Sequence, residues 1–165
     1  ELNTIITRMF THTGPRRGDI FAESSFAKQI ALIESGFIDP VIHVGNLESM
    51  RTYADVRDAV DAYWQLLSSN NIERGSTFNI GGSYSCKVGE MLNYLISLSS
   101  KKKEIKVKID KKRVRPIDAD LQIPNIKKFQ DKIEWQPKFS FEETMEDLLN
   151  YWRDQIKDKK SFLVR

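Results

Sequence analysis

The chain has 165 residues, 40% of them hydrophobic and 30% charged, with a formal net charge of +3. That length suffices for one domain with a real core, and the composition is that of a globular protein rather than a disordered or fibrous one. A single cysteine, Cys86, excludes an internal disulfide and any cysteine-based metal cluster. No apolar run reaches the ~18 residues of a membrane span, and the charge is too small to argue nucleic-acid binding by itself.

The first residue is Glu1, and residues 2–10, LNTIITRMF, already read as a buried β-branched strand, so the chain is expected to be a piece of a longer protein. THTGPRRGD follows as a loop. Phe26, Ile30 and Ile33 recur at helical spacing within residues 21–35, and Gly36 supplies the stop. PVIHVG, residues 40–45, predicts a short strand, and NLESMRTYA a loop or short extended piece. Residues 55–68 predict an amphipathic helix with Val56, Ala59, Val60, Tyr63, Trp64 and Leu67 on its apolar face. STFNIGGS reads as a strand closing in a tight Gly81-Gly82 turn into a helix over residues 88–98. IKVKID alternates with period two and predicts a half-exposed strand. A short helix over residues 125–132 and a turn around Pro137 lead to the last helix. There Ser140 and Glu143 form a capping box, and Phe141, Met145, Leu148, Leu149 and Trp152 form the stripe. Residues from 157 onward read as a charged, frayed tail. Strands and helices alternate without a repeat, which predicts an α/β fold: the end of a Rossmann-like sheet plus a small α/β lobe.

Three basic positions stand out. His12, Arg16 and Arg17 follow a strand, where ligands of α/β sheets collect, and a guanidinium fork suits phosphate oxygens; a surface turn with incidental charge is the alternative. Arg51 precedes a helix start, where the dipole disfavours a cation unless an anion meets it. Arg115 is held by Pro116 and followed three residues later by Asp118, a pair suited to a phosphate and a ribose or base edge. Nine of the fifteen residues from 101 to 115 are Lys or Arg; most of these lysines read as a solvated strand edge. A nucleic-acid-binding module is the competing reading of that run, but no aromatic platform accompanies it. His43 reads as a packed or edge histidine. Zinc-binding and hydrolase motifs are absent from the sequence.

Taken in order, THTGPRRG, FAKQIALIESG, VIHVGNLESMRTYADVRDAVDAYW, FNIG and RPID resemble the carboxy-terminal half of the GDP-mannose 4,6-dehydratase family, extended short-chain dehydrogenases/reductases. The related GDP-4-keto-6-deoxy-mannose reductases share much of this half. The resemblance implies NADP as cofactor, contacted by His12 and Arg17, with Arg16 at a subunit interface. It implies a GDP-sugar, GDP-mannose foremost, held by Ala22, Ser25, Arg51, Arg115 and Asp118. Arg51 and Arg115 would take the pyrophosphate, and Asp118 the ribose or base. The family commonly has Lys or Asn where Ser25 stands, Asn at Thr11 and Asp at Thr52. No catalytic residue is expected here, because no tyrosine is followed four residues later by lysine. Residues 1–156 would then be the substrate-binding portion, inactive alone, of a cytoplasmic homo-oligomeric lyase. In that enzyme the sugar is oxidised at C4, loses water across C5 and C6, and takes the hydride back at C6. A reductase, a dehydratase of another GDP-sugar and a non-catalytic nucleotide-binding module are the alternatives.

Overall fold

The computed structural model describes residues 3–114 and 119–163, the last five by backbone alone. Arg115 and Asp118 lie outside the described residues. The fold opens with β1, Ile6–Met9, and β2, His12–Thr13, followed by α1, Ala22–Glu34, and β3, Val41–Val44. Next come β4, Met50–Asp55, α2, Val56–Ser68, and β5, Thr77–Ile80. Then follow β6, Tyr84–Lys87, α3, Val88–Ser97, and β7, Lys106–Ile109. A 3-10 turn at Lys111–Arg113 precedes β8, Leu121–Gln122, α4, Lys127–Lys132, and α5, Phe141–Leu163. No helix among the described residues is long and apolar enough to cross a membrane.

Parallel pairing dominates, as the α/β alternation predicts. β1 pairs with β5, Ile6 opposite Thr77 and Met9 opposite Ile80, and β3 pairs with β7, Val44 opposite Ile109. β4 joins the rest: β2 lies beside its end in parallel, β8 beside its start, and β6 runs antiparallel along Met50 to Tyr53. Two apolar clusters result. One gathers Phe26, Ile30, Met91, Leu95, Met145 and Leu148 from α1, α3 and α5, and the other gathers Leu66, Phe78, Ile80, Phe129 and Trp135 around α2, β5 and α4.

The capped last helix forms as the sequence predicts. Glu143 N donates to Ser140 Oγ, and Ser140 N donates back to the Glu143 carboxylate. Phe141, Met145, Leu148 and Leu149 are all buried. The helix then continues to Leu163, through the stretch read as a frayed tail.

Further expectations differ from the structure, beginning with β1, which is half-exposed rather than buried, Ile6 at 52%. In α2, Ala59, Ala62 and Leu66 face inward, while Val60, Trp64 and Leu67 are 61%, 69% and 75% exposed. Buried Asp58 fixes that rotation, because its carboxylate accepts from Lys138 N and Phe139 N at 2.9 and 3.2 Å. The Gly81-Gly82 pair does not open a helix directly; β6 intervenes. A Cβ on Gly82 would stand 1.7 Å from the Tyr53 carbonyl oxygen, so glycine lets the chain cross β4 and return beside it. β7 is exposed on both faces, Val107 and Ile109 included, because it pairs with β3 alone among the described strands.

Candidate functional site

The loop after β2 turns tightly. Arg17 N donates to Gly14 O at 3.1 Å, with Gly14 at φ +143° and Arg16 at φ +71°, a left-handed conformation uncommon for a side chain other than glycine. Two hydrogen bonds in series hold this turn to the helices. Trp152 Nε1 on α5 donates to Ser24 Oγ on α1 at 2.9 Å, and Ser24 Oγ donates to Arg17 O at 2.7 Å. The Arg17 guanidinium lies 3.4 Å over the Phe21 ring, and its Nε lies 3.4 Å from Glu23 Oε1. The pair is close in charge but lacks hydrogen-bond geometry: Arg17 Nε, Glu23 Oε1 and Thr13 Oγ1 are all buried without a hydrogen-bond partner. Burial pushes the Glu23 carboxyl up from its ordinary pKa, an effect only partly offset by a backbone N–H and the Arg17 charge.

These groups open onto a cavity of about 520 Å³, a size suited to a small-molecule ligand. Phe21, with Ala22 and Ser25 of α1, lines one side, and Arg51 and Tyr53 of β4 another. Lys112 and Arg113 of the 3-10 turn close a third side. Among the described residues lining it, Arg17, Arg51, Lys112 and Arg113 are cations and Glu23 is the carboxylate. Such an excess of positive charge in one concavity suits a multiply charged anion, and guanidinium forks match phosphate oxygens. Arg17 adds its charge to the same wall, with its guanidinium lying over the Phe21 ring.

Of the residues singled out in the sequence, Arg17, Ala22, Ser25 and Arg51 meet in this cavity. Arg51 sits within β4 rather than at a helix N-terminus; α2 begins at Val56, capped by Asp55. Its Nη1 donates to Met50 O and to Ala119 O at 2.7 Å. His12 is on β2, with Nδ1 3.3 Å from Phe10 O, and does not line the cavity. Arg16 is exposed at the turn. Glu23, Tyr53, Lys112 and Arg113 were not legible as site residues. Glu23 reads in sequence as a favourable first-turn acid, and Lys112 and Arg113 merge into the basic run. Asp110 was the available signal: its carboxylate accepts from Lys112 N at 2.9 Å, and such an Asx turn re-aims the residues after it.

Comparison with known proteins shows the family. The family model described as GDP-mannose 4,6 dehydratase matches residues 1–148. The chain is 25% identical to the GDP-6-deoxy-D-mannose reductase of Pseudomonas aeruginosa over 155 residues, covering 94% of this chain and 50% of that protein. It is 28% identical to the GDP-mannose 4,6 dehydratase of Dictyostelium discoideum, covering 86% and 43%. The chain therefore spans about half the length of these curated relatives. Among solved structures, RMD from P. aeruginosa complexed with NADPH superposes with a TM-score of 0.81 at 25% identity, over 93% of this chain and 49% of that one.

Proposed function

Because the chain belongs to the GDP-mannose 4,6-dehydratase family, we propose that its cavity binds the diphosphate of a GDP-sugar, and that the chain is the nucleotide-sugar-binding part of an NADP-dependent enzyme converting GDP-mannose to GDP-4-keto-6-deoxymannose. The observation that carries this reading is the convergence of Arg17, Arg51, Lys112 and Arg113 on one cavity. In this reading Arg51 and Arg115 neutralise the pyrophosphate, Asp118 accepts from the ribose or base, and Ala22 and Ser25 bound the substrate at the start of α1. His12 and Arg17 serve the cofactor, and exposed Arg16 serves a contact between copies of a cytoplasmic homo-oligomer. Each charge-assisted hydrogen bond to the pyrophosphate contributes about 1.5–3 kcal/mol. NADP, when held by His12 and Arg17, would supply reversible hydride chemistry; the chain's own residues bind and orient the nucleotide sugar, a positional contribution.

A second reading, a GDP-4-keto-6-deoxyhexose reductase, is favoured by the 94% coverage by the P. aeruginosa reductase and by the NADPH in the superposed structure. Cofactor accounting separates the two. The intact protein is incubated with GDP-mannose and NADP, and separately with GDP-4-keto-6-deoxymannose and NADPH. A 4-keto-6-deoxy product without net change in NADP supports the dehydratase; stoichiometric NADPH consumption with the keto sugar supports the reductase. Tight GDP binding with neither conversion leaves a nucleotide-binding module, and absence of GDP binding removes the reading altogether.

A further inference from the structure

We propose that Arg113 is an additional diphosphate-binding residue, parked against Ser25 until a nucleotide arrives; the proposal rests on the nucleotide-sugar reading of the cavity. The backbone beneath Arg113 is firmly set. The β3–β7 ladder ends with Asp110 N donating to Val44 O at 2.8 Å, and Arg113 N donates to Asp110 O at 2.9 Å. Gly45, the next residue after β3, is pressed onto this turn: a Cβ there would stand 2.3 Å from Arg113 O. From this turn the side chain reaches α1, where Nη1 donates to Ser25 Oγ at 3.2 Å and both residues line the cavity.

Ser25 is itself placed. Gln29 accepts from His43 N at 2.9 Å, and its Nε2 lies 3.4 Å from Ser25 Oγ, tying the hydroxyl to β3. The hold on Arg113 is nevertheless weak. Its acceptor is neutral and distant, the Asp110 carboxylate lies 3.9 Å from Nε, and the side chain is 46% exposed. A phosphate oxygen is a far stronger acceptor for a guanidinium than a serine hydroxyl. Arg113 shares the cavity with Arg17, Arg51 and Lys112, so an arriving dianion also relieves cation–cation repulsion. The short side chain at position 25 leaves the space that the guanidinium occupies. A charge carried on the 3-10 turn therefore stands where a longer residue on α1 would otherwise reach the ligand.

Calorimetric titration of the intact protein with GDP, at low and at moderate salt, tests the assignment on wild type, Arg113→Ala and Arg113→Lys. Removal of one partly exposed charge-assisted contact is expected to weaken GDP binding about 5- to 20-fold at low salt. The deficit should shrink at higher salt, as screening predicts, and Arg113→Lys should recover much of it. An unchanged affinity in Arg113→Ala, beside a wild type that binds GDP, overturns the proposal and leaves the nucleotide reading standing. A loss that is equal at both salts and not recovered by lysine assigns Arg113 a structural role and also overturns it. A wild type that does not bind GDP removes both.

Discussion

Glu23 is the residue whose environment is most at odds with its chemistry. It is 4% exposed, one carboxylate oxygen has no hydrogen-bond partner, and burial raises its pKa. The folded protein therefore binds this proton more tightly than the unfolded chain does. Its contribution to stability is complete below the unfolded value of about 4.3 and is lost as pH rises through the raised folded value. Glu23→Gln removes the buried charge and keeps the shape. It should raise stability near neutrality by about 1 kcal/mol and remove this fall in stability with rising pH. Thermal melts across about pH 4 to 8 check this; a destabilised variant would mean that the Arg17 pairing outweighs the cost of burial. Sequence could single out Arg17, because it follows a strand in an α/β pattern, where ligands collect. It could not reveal Glu23, since an acid in the first turn of a helix is favourable whichever way it points.

Elements were legible where one local signal decided them, and illegible where a distant partner did. The Ser140–Glu143 box announces α5, and the 26, 30, 33 spacing announces α1. The rotation of α2 was not announced, because Asp58 meets backbone N–H groups eighty residues away. The energetic corollary is direct. Trp64→Ala should change stability by less than about 0.5 kcal/mol, whereas Leu66→Ala should cost about 2–5 kcal/mol, as read from denaturant midpoints. The reverse order would restore the face that periodicity predicts. The join between α1 and α5 offers a second test. Arg153 Nε and Nη2 each donate to Glu34 at 2.8 Å, while Nη2 also reaches Leu98 O and Ser99 Oγ donates to the same carboxylate. Desolvation alone would raise the Glu34 pKa, but the Arg153 and Ser99 hydrogen bonds outweigh it and hold the group below its ordinary value. This stability is present above the unfolded carboxylate value and is lost as pH falls through the depressed folded one. Arg153→Ala should cost about 1–2 kcal/mol after allowance for partial exposure, and should remove that segment of the acid limb.

At the scale of the whole molecule, the cavity is built from chain positions between Thr11 and Gln122. That spread explains what the sequence withheld. Motif order pointed to the family and picked out four residues that line the cavity, but it is pairings such as β3–β7 and β2–β4 that bring the 3-10 turn, the start of α1 and Arg51 around one space. A ligand bridging such distant segments should tie them together, so its binding free energy must appear as resistance to unfolding. With GDP at a hundredfold excess over its Kd, linkage gives about 2.7 kcal/mol, or about 5–10 °C in the thermal midpoint of a chain this size. Because the walls are cationic, raising the salt should weaken affinity and reduce the shift at fixed GDP. Arg51→Ala should reduce it further, since this residue lines the cavity and also ties β4 to Ala119 O. A midpoint unmoved by GDP would mean that the cations gather around another anion. A shift that ignores salt would place the binding energy in the base or sugar rather than in the diphosphate.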